Sequence, residues 1–193
     1  LLARVEELGT SALAGRMEPF LQDFDPQVAE DAARILSAWQ GRDRQANPQA
    51  PDPVPLPTAT ELRELERTTV TLHMQRGDSI VIRPLPYLAL TNSHRFVRRA
   101  REGDFDGLTF HRWVPNFVIQ GGSPGANESA GDGPYTRDEV SLLPHWRGTV
   151  GLSTRGHDTG DGQIFINLID NVRLNHDYTI YGVVTSEMDV VDA

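Results

Sequence analysis

The residue types that most often carry chemistry are present here, but their spacing withholds the usual reactions. His111, His145, His157 and His176 show no His-Glu-x-x-His spacing, so a metal site is not expected. Asp158-Thr159-Gly160-Asp161-Gly162 has the look of a calcium loop but lacks the spaced acidic ligands and the closing glutamate. Ser153 has no plausible histidine and aspartate partners in a hydrolase order, and Gly156, Gly160 and Gly162 sit in no βαβ unit that could bind a dinucleotide. There is no cysteine, which excludes disulfides, thiolate metal sites and a cysteine nucleophile. All 18 basic residues are arginine, which excludes a P-loop lysine and a Schiff-base lysine. No metal and no cofactor are expected.

The chain of 193 residues is long enough for one domain and a smaller appendage. Its formal net charge of −9 argues against nucleic acid as the main partner, since a phosphate-binding face needs clustered positive charge. The charge divides evenly: residues 1–57 carry five arginines and nine acids, and residues 58–193 carry thirteen and eighteen. No apolar run approaches the roughly 18 residues of a membrane span. The chain opens at Leu1 without a signal-peptide pattern and closes at Ala193 within what reads as an ongoing element, so a fragment is expected.

The patterning marks out three segments. Residues 1–41 read as an α-helical hairpin. Val28, Ala32, Ile35, Leu36 and Trp39 share one helical face, with Asp25 as N-cap, Pro26 at the first position and Gly41 as the stop. The unit is similar to one element of a HEAT-type repeat, and an arbitrary helical hairpin fits as well. Residues 42–57 read as a linker, in which Pro48, Pro51, Pro53, Pro55 and Pro57 favour an extended path. In residues 58–193 the period shifts toward strands. Thr58 to Glu61 forms a capping box for a short helix to about Arg67, and Asn92 to Arg101 reads as a second helix. Strands are expected at 70–74, 80–82, 108–114, 116–120, 149–152, 163–168 and 178–184. Many short strands and few helices predict a mainly β barrel or sandwich.

Within that β region, Phe105-Asp106-Gly107-Leu108-Thr109-Phe110-His111-Arg112-Trp113-Val114-Pro115-Asn116-Phe117-Val118-Ile119-Gln120-Gly121-Gly122 resembles the signature segment of cyclophilins, the peptidyl-prolyl cis–trans isomerases. Gly148 to Gly156, Gly162 to Ile166 and Leu174 to Val184 resemble the family's later segments in the same order. The resemblance covers roughly residues 68–193. It implies an eight-stranded antiparallel β-barrel with a helix capping each end. The family's last strand would lie beyond Ala193, and a barrel without it would leave an unpaired edge.

The chemistry so implied breaks no bond. Rotation about a peptide bond costs about 18–20 kcal/mol, because the nitrogen lone pair is delocalised into the carbonyl. For X-Pro the two isomers lie within about 1 kcal/mol, so only the barrier needs lowering. A catalyst must favour the twisted amide with its pyramidal, basic nitrogen. By resemblance, Arg112 is the catalytic arginine that donates to the prolyl nitrogen, and Gln120 orients it. Phe117, Val118, Phe165 and Leu174 match the walls of the proline pocket. Thr154 matches a position that grips the substrate through its backbone. Ser153 and Gln163 border the neighbouring groove, and Tyr178 stands where the family often has histidine. The residues alone leave other readings open: Phe117 and Phe165 as plain core, Gln120 as a strand-end residue satisfying backbone groups, and Gly121-Gly122 as a turn. His111 is expected to be structural.

Departures from the pattern are informative. Arg173 stands where the family often has tryptophan or phenylalanine, which removes the aromatic face that cyclosporin binding uses. Thr154 replaces asparagine and Val118 replaces methionine. The implied function is peptidyl-prolyl isomerisation on proline-containing segments of folding proteins. The alternative is a catalytically weak proline-peptide binding module or adaptor. The resemblance leans toward bacterial proteins, in the cytoplasm or exported to the periplasm.

Overall fold

A computed structural model describes residues 2–50, 56–131, 134–186 and 188–193. The chain divides into two compact units, Leu1–Pro55 and Leu56–Ala193.

The first unit is built on α3 (Pro26–Gln40). The Asp25 carboxylate accepts from the Gln27 amide at 2.9 Å, Pro26 occupies the first turn, and Gly41 closes the helix with φ of 62°. Ala29, Ala32, Ala33, Ile35 and Leu36 are buried along one face, as the apolar spacing demands. The partner is not the single second helix of a hairpin. Residues preceding α3 fold as α1 (Leu2–Leu8), a 3-10 turn (Ser11–Leu13), α2 (Ala14–Met17) and a second 3-10 turn (Glu18–Gln22). Gly9 and Pro19 interrupt any longer helix, and Met17 and Leu21 supply the apolar contacts instead. The segment after α3 runs back over this unit rather than leaving it as a free linker. The Asn47 amide donates to the Leu21 carbonyl at 2.8 Å, and Arg44 pairs with Glu18. Pro51, Pro53 and Pro55, which carry the expectation of an extended path, lie outside the described residues.

The second unit opens with α4 (Ala59–Leu65), capped as expected. The Glu61 amide donates to the Thr58 hydroxyl at 3.3 Å, and the Thr58 amide donates to the Glu61 carboxylate at 2.7 Å. There follow β1 (Val70–His73), β2 (Ser79–Pro84), α5 (Leu90–Glu102), β3 (Phe110–Val114), β4 (Val118–Gly121), β5 (Thr149–Leu152), β6 (Ile164–Asn167), β7 (Ile180–Val184) and a short α6 (Asp189–Asp192). All pairings in the sheet are antiparallel, in the order β1-β2-β7-β5-β6-β4-β3.

The eight strands implied by the resemblance are seven among the described residues. The curled sheet stays open between β1 and β3. A hollow lined by Met74, Ile80, Phe110, Trp113, Ile119 and Val191 occupies that side, and α6 adds Val191 to the core there. Ile82, Ile119, Val150, Ile164, Ile166 and Tyr181 fill the inner face of the sheet. α5 closes one end, with Phe96 packed on Tyr181 and Phe105, at ring separations of 5.3 and 5.6 Å. The inner residues alternate with outer ones along each strand, so the outer face receives a separate set of side chains.

Candidate active site

The outer face of the sheet carries one continuous row. Arg112 on β3 is paired with Gln120 on β4, Gln120 with Phe165 on β6, and Phe165 with Gly151 on β5. Residues directly opposite in antiparallel strands share a face. The neighbouring row, Ile119, Ile166 and Val150, points into the core. Arg112 reaches the outer row through an irregularity. Phe110 pairs with Gly121 and Arg112 with Gln120, so His111 is the extra residue of a β-bulge. Without it, Phe110 and Arg112 would share a face. With it, Phe110 packs against the core and Arg112 turns outward. Gly121, which reads from sequence as a turn, is the last residue of β4. A Cβ there would lie 2.8 Å from the Phe110 ring.

Around this row lies a cleft of about 500 Å³, within the range of small-ligand sites. Arg112, Phe117, Val118, Gln120, Ser153, Thr154, Phe165, Leu174 and Tyr178 all line it. The strands β3, β4 and β6 and the segments beside them thus bring together every candidate residue but one. The exception, Gln163, does not border the groove. It is 1% exposed and lies behind Gln120, whose amide donates to it at 3.1 Å. Its own amide donates to the carbonyls of Glu128 and Ala130, at 3.3 and 3.2 Å. Gln163 therefore ties the 123–131 loop to the sheet.

Arg112 is held on two sides. Its Nη1 donates to Gln120 Oε1 at 3.0 Å, and its Nε lies 3.0 Å from the carboxylate of Glu128. Gln120 in turn donates through Nε2 to the Ser153 hydroxyl at 2.7 Å. Among the described residues no hydrogen bond occupies Arg112 Nη2, and none occupies the backbone N–H and C=O of Thr154. The cleft thus presents a cationic donor and an open backbone pair beside an apolar pocket.

The sequence that builds this cleft decides the family: residues 69–193 match the family described as cyclophilin type peptidyl-prolyl cis-trans isomerase/CLD. The chain belongs to the cyclophilin-type isomerases. A peptidyl-prolyl cis-trans isomerase of Helicobacter pylori is 39% identical over 93 residues, covering 47% of this chain and 57% of that protein. Peptidyl-prolyl cis-trans isomerase B of Bacillus subtilis is 36% identical over 118 residues, covering 60% of this chain and 82% of that one. In fold, the chain is similar to a cyclophilin type isomerase of Cryptosporidium parvum crystallised in the presence of the dipeptide Ala-Pro. The TM-score is 0.61 at 22% identity, over 65% of this chain and 83% of that chain.

Several residues that build the cyclophilin cleft are not evident from sequence alone. Glu128 and Arg155 line it beside the expected set. Arg155 is held by Asp161 at 2.8 Å and by the Glu128 carbonyl at 2.6 Å. Behind the pocket lies a buried polar network. The ring of His145 stacks on Phe165 at 5.8 Å, and Phe165 meets Tyr178 edge-on at 5.9 Å. His145 Nε2 contacts the Tyr178 carbonyl at 3.2 Å, and Nδ1 meets the Asn167 amide nitrogen at 3.2 Å. That pairing assigns the neutral tautomer with its proton on Nε2. Asn171 donates to Asn167 Oδ1 at 2.7 Å and to the Phe117 carbonyl at 2.9 Å. Only the Asn167-x-x-x-Asn171 spacing hints at this network in the sequence.

The packing behind the pocket can be tested at two residues. A Cβ on Gly151 would collide with the Phe165 ring, so Gly151→Ala displaces a pocket wall. Overpacking of this kind costs about 1–3 kcal/mol. The expected result is a fall of about tenfold in kcat/KM on an X-Pro peptide, with the fold retained by circular dichroism. The second test concerns pH. Burial pushes the His145 imidazole below its usual pKa, and the bond to the Tyr178 carbonyl opposes this only in part. The folded state therefore favours the neutral ring, while an unfolded chain titrates near 6.5. Above about pH 6.5 the ring is neutral in both states and its contribution is fully present. As the pH falls below that value, the unfolded state takes up the proton first. Stability is then lost, at up to about 1.4 kcal/mol per pH unit, until the folded pKa is passed. Urea denaturation between about pH 8 and pH 5 checks this, because His145→Gln lowers the slope by one proton.

Proposed function

We propose that this domain accelerates X-Pro isomerisation by holding the twisted amide, with Arg112 as the residue that carries the reaction. The observation behind this is the double restraint of its guanidinium, by Gln120 and Glu128, with one terminal nitrogen left over. As the C–N bond twists, the nitrogen lone pair is released from the carbonyl and becomes an acceptor. Nη2 of Arg112 donates to it. A guanidinium suits this task because it stays charged and presents a rigid fork. Its position is set before substrate arrives, so little reorganisation is needed in the transition state.

The other parts divide the work. Phe117, Val118, Phe165, Leu174 and Tyr178 receive the proline ring. Thr154 offers its backbone N–H and C=O to the peptide, which fixes one side of the rotating bond. Gln120 acts through Arg112 and is a positioning residue, and so are Gln163 and Ser153. No covalent intermediate forms, and no proton leaves the enzyme. The occupants of the cleft on this reading are proline-containing segments of folding proteins. For the N-terminal unit the reading is a repeat-type helical adaptor, supported by the amphipathic face of α3.

Protease-free exchange NMR on a short X-Pro peptide tests the assignment in the full chain. Arg112→Ala is expected to lower turnover by about 10²–10³-fold, the usual loss for a transition-state donor. Peptide line broadening should still report binding to the variant. Retention of full turnover in Arg112→Ala would sink the assignment, and binding without turnover in the wild type would make the domain a proline-peptide binding module.

A further inference from the structure

Two guanidinium groups lie over the ring of Phe117. The carbon centre of Arg173 is 3.9 Å from the ring centroid, and that of Arg112 is 5.9 Å away. The two cations are not equivalent. Arg112 is answered by Glu128, and the neighbouring Arg155 by Asp161. Among the described residues no carboxylate pairs with Arg173, which is exposed. Arg173 immediately precedes Leu174, a wall of the cleft, and it stacks on Phe117, another wall. It therefore stands at the rim of the proline pocket.

Its position is also fixed. The 3-10 turn Val172–Leu174 follows Asn171, whose backbone amide donates to the His145 carbonyl at 2.7 Å. The side chain of Asn171 donates to the carbonyl of Phe117 itself at 2.9 Å. The turn that carries Arg173 and the ring it stacks on are thus tied to one residue. A guanidinium held over an aromatic face still has N–H donors to offer, and these match a carboxylate two-pronged.

We infer that Arg173 gives the cleft a preference for proline segments that carry a carboxylate side chain next to the proline. The inference rests on the reading of this cleft as the X-Pro site. The overall charge of −9 does not oppose it at contact range, because salt screens exposed charges beyond about 8–10 Å. The pairing at the rim is local, and it decides which peptide is retained.

The test compares matched peptides with glutamate, glutamine or lysine immediately before or immediately after the proline, by exchange NMR on the full chain. One of the two glutamate peptides is expected to exceed its glutamine counterpart in kcat/KM by about twofold to fivefold, the scale of an exposed ion pair. That ratio should shrink toward one at about 0.5 M salt. Arg173→Gln should bring it to one at low salt, and Arg173→Glu should shift the preference to the lysine peptide. Equal values for glutamate and glutamine peptides in the wild type would overturn the inference, and so would a ratio that persists in Arg173→Gln. Failure to turn over even the glutamine peptides would overturn the X-Pro reading itself, which separates the two failures.

Discussion

The side-chain amide of Gln120 is the constraint on which the cleft depends. It is 4% exposed and is used at both ends. Oε1 accepts from Arg112, and Nε2 donates to Ser153 and to Gln163. A flipped amide would set N–H donors against a guanidinium that can only donate, so one orientation is allowed. Leaving such a buried group unpaired costs about 1–3 kcal/mol. The circuit then closes on itself. Gln163 holds the Glu128 carbonyl, and the Glu128 carboxylate returns to Arg112. The arginine is thereby positioned by the sheet on one side and by a loop on the other, although neither element alone would restrain so long a side chain.

That circuit needs a backbone that delivers Arg112 and Gln120 to the same face, and the bulge at His111 meets this requirement. Regular alternation along β3 would place Arg112 with Phe110, toward the core. One extra residue reverses the facing of the rest of the strand, so a charged side chain reaches the cleft while the aromatic stays inside. Gly121 and Gly151 complete the arrangement by yielding space, one to Phe110 and the other to Phe165. The row Arg112, Gln120, Phe165, Gly151 is therefore large and polar at one end and empty at the other. The emptiness is what lets an aromatic ring lie across the strand as a pocket wall.

Much of this is legible in the sequence, for different reasons in different places. The helix α3 declares itself by period, cap and stop, since those signals are local. The first two strands declare themselves by alternation and the later ones as short apolar runs between glycine-rich turns, though their ends shift by a residue or two where turns compete. The Arg112-to-Gly122 segment is legible only as a pattern similar to a family, because no rule of period or spacing distinguishes a catalytic arginine from a solvated one. Gln163 shows where such reading stops. Its place in the chain suggests the groove, and alternation puts it on the face of Phe165, but the 123–131 loop takes its amide and buries it, a long-range contact that no local pattern shows. Glu128 belongs to a loop without period, and its meeting with Arg112 depends on how 123–131 folds back over the sheet. The broken helices before α3 show the opposite failure, in which Gly9 and Pro19 interrupt the expected hairpin.

The apolar pocket owes its shape to polar groups. Its walls come from the β3–β4 connection, β4, β6, the Val172–Leu174 turn and the loop before β7, and each could shift independently if only apolar contacts held them. Dispersion is additive but not directional. The directional part is supplied from behind, by Asn171, Asn167, His145 and Thr149. Asn171 ties the Phe117 carbonyl to Asn167, and Asn167 donates to the Thr149 hydroxyl at 2.8 Å. His145 lies flat against Phe165 while holding the Tyr178 carbonyl. Buried hydrogen bonds of this sort add only about 0.5–1.5 kcal/mol each to net stability, but each admits one geometry. On the proposed reading such fixity favours isomerisation, since the walls would hold the proline ring still while the other side of the amide turns.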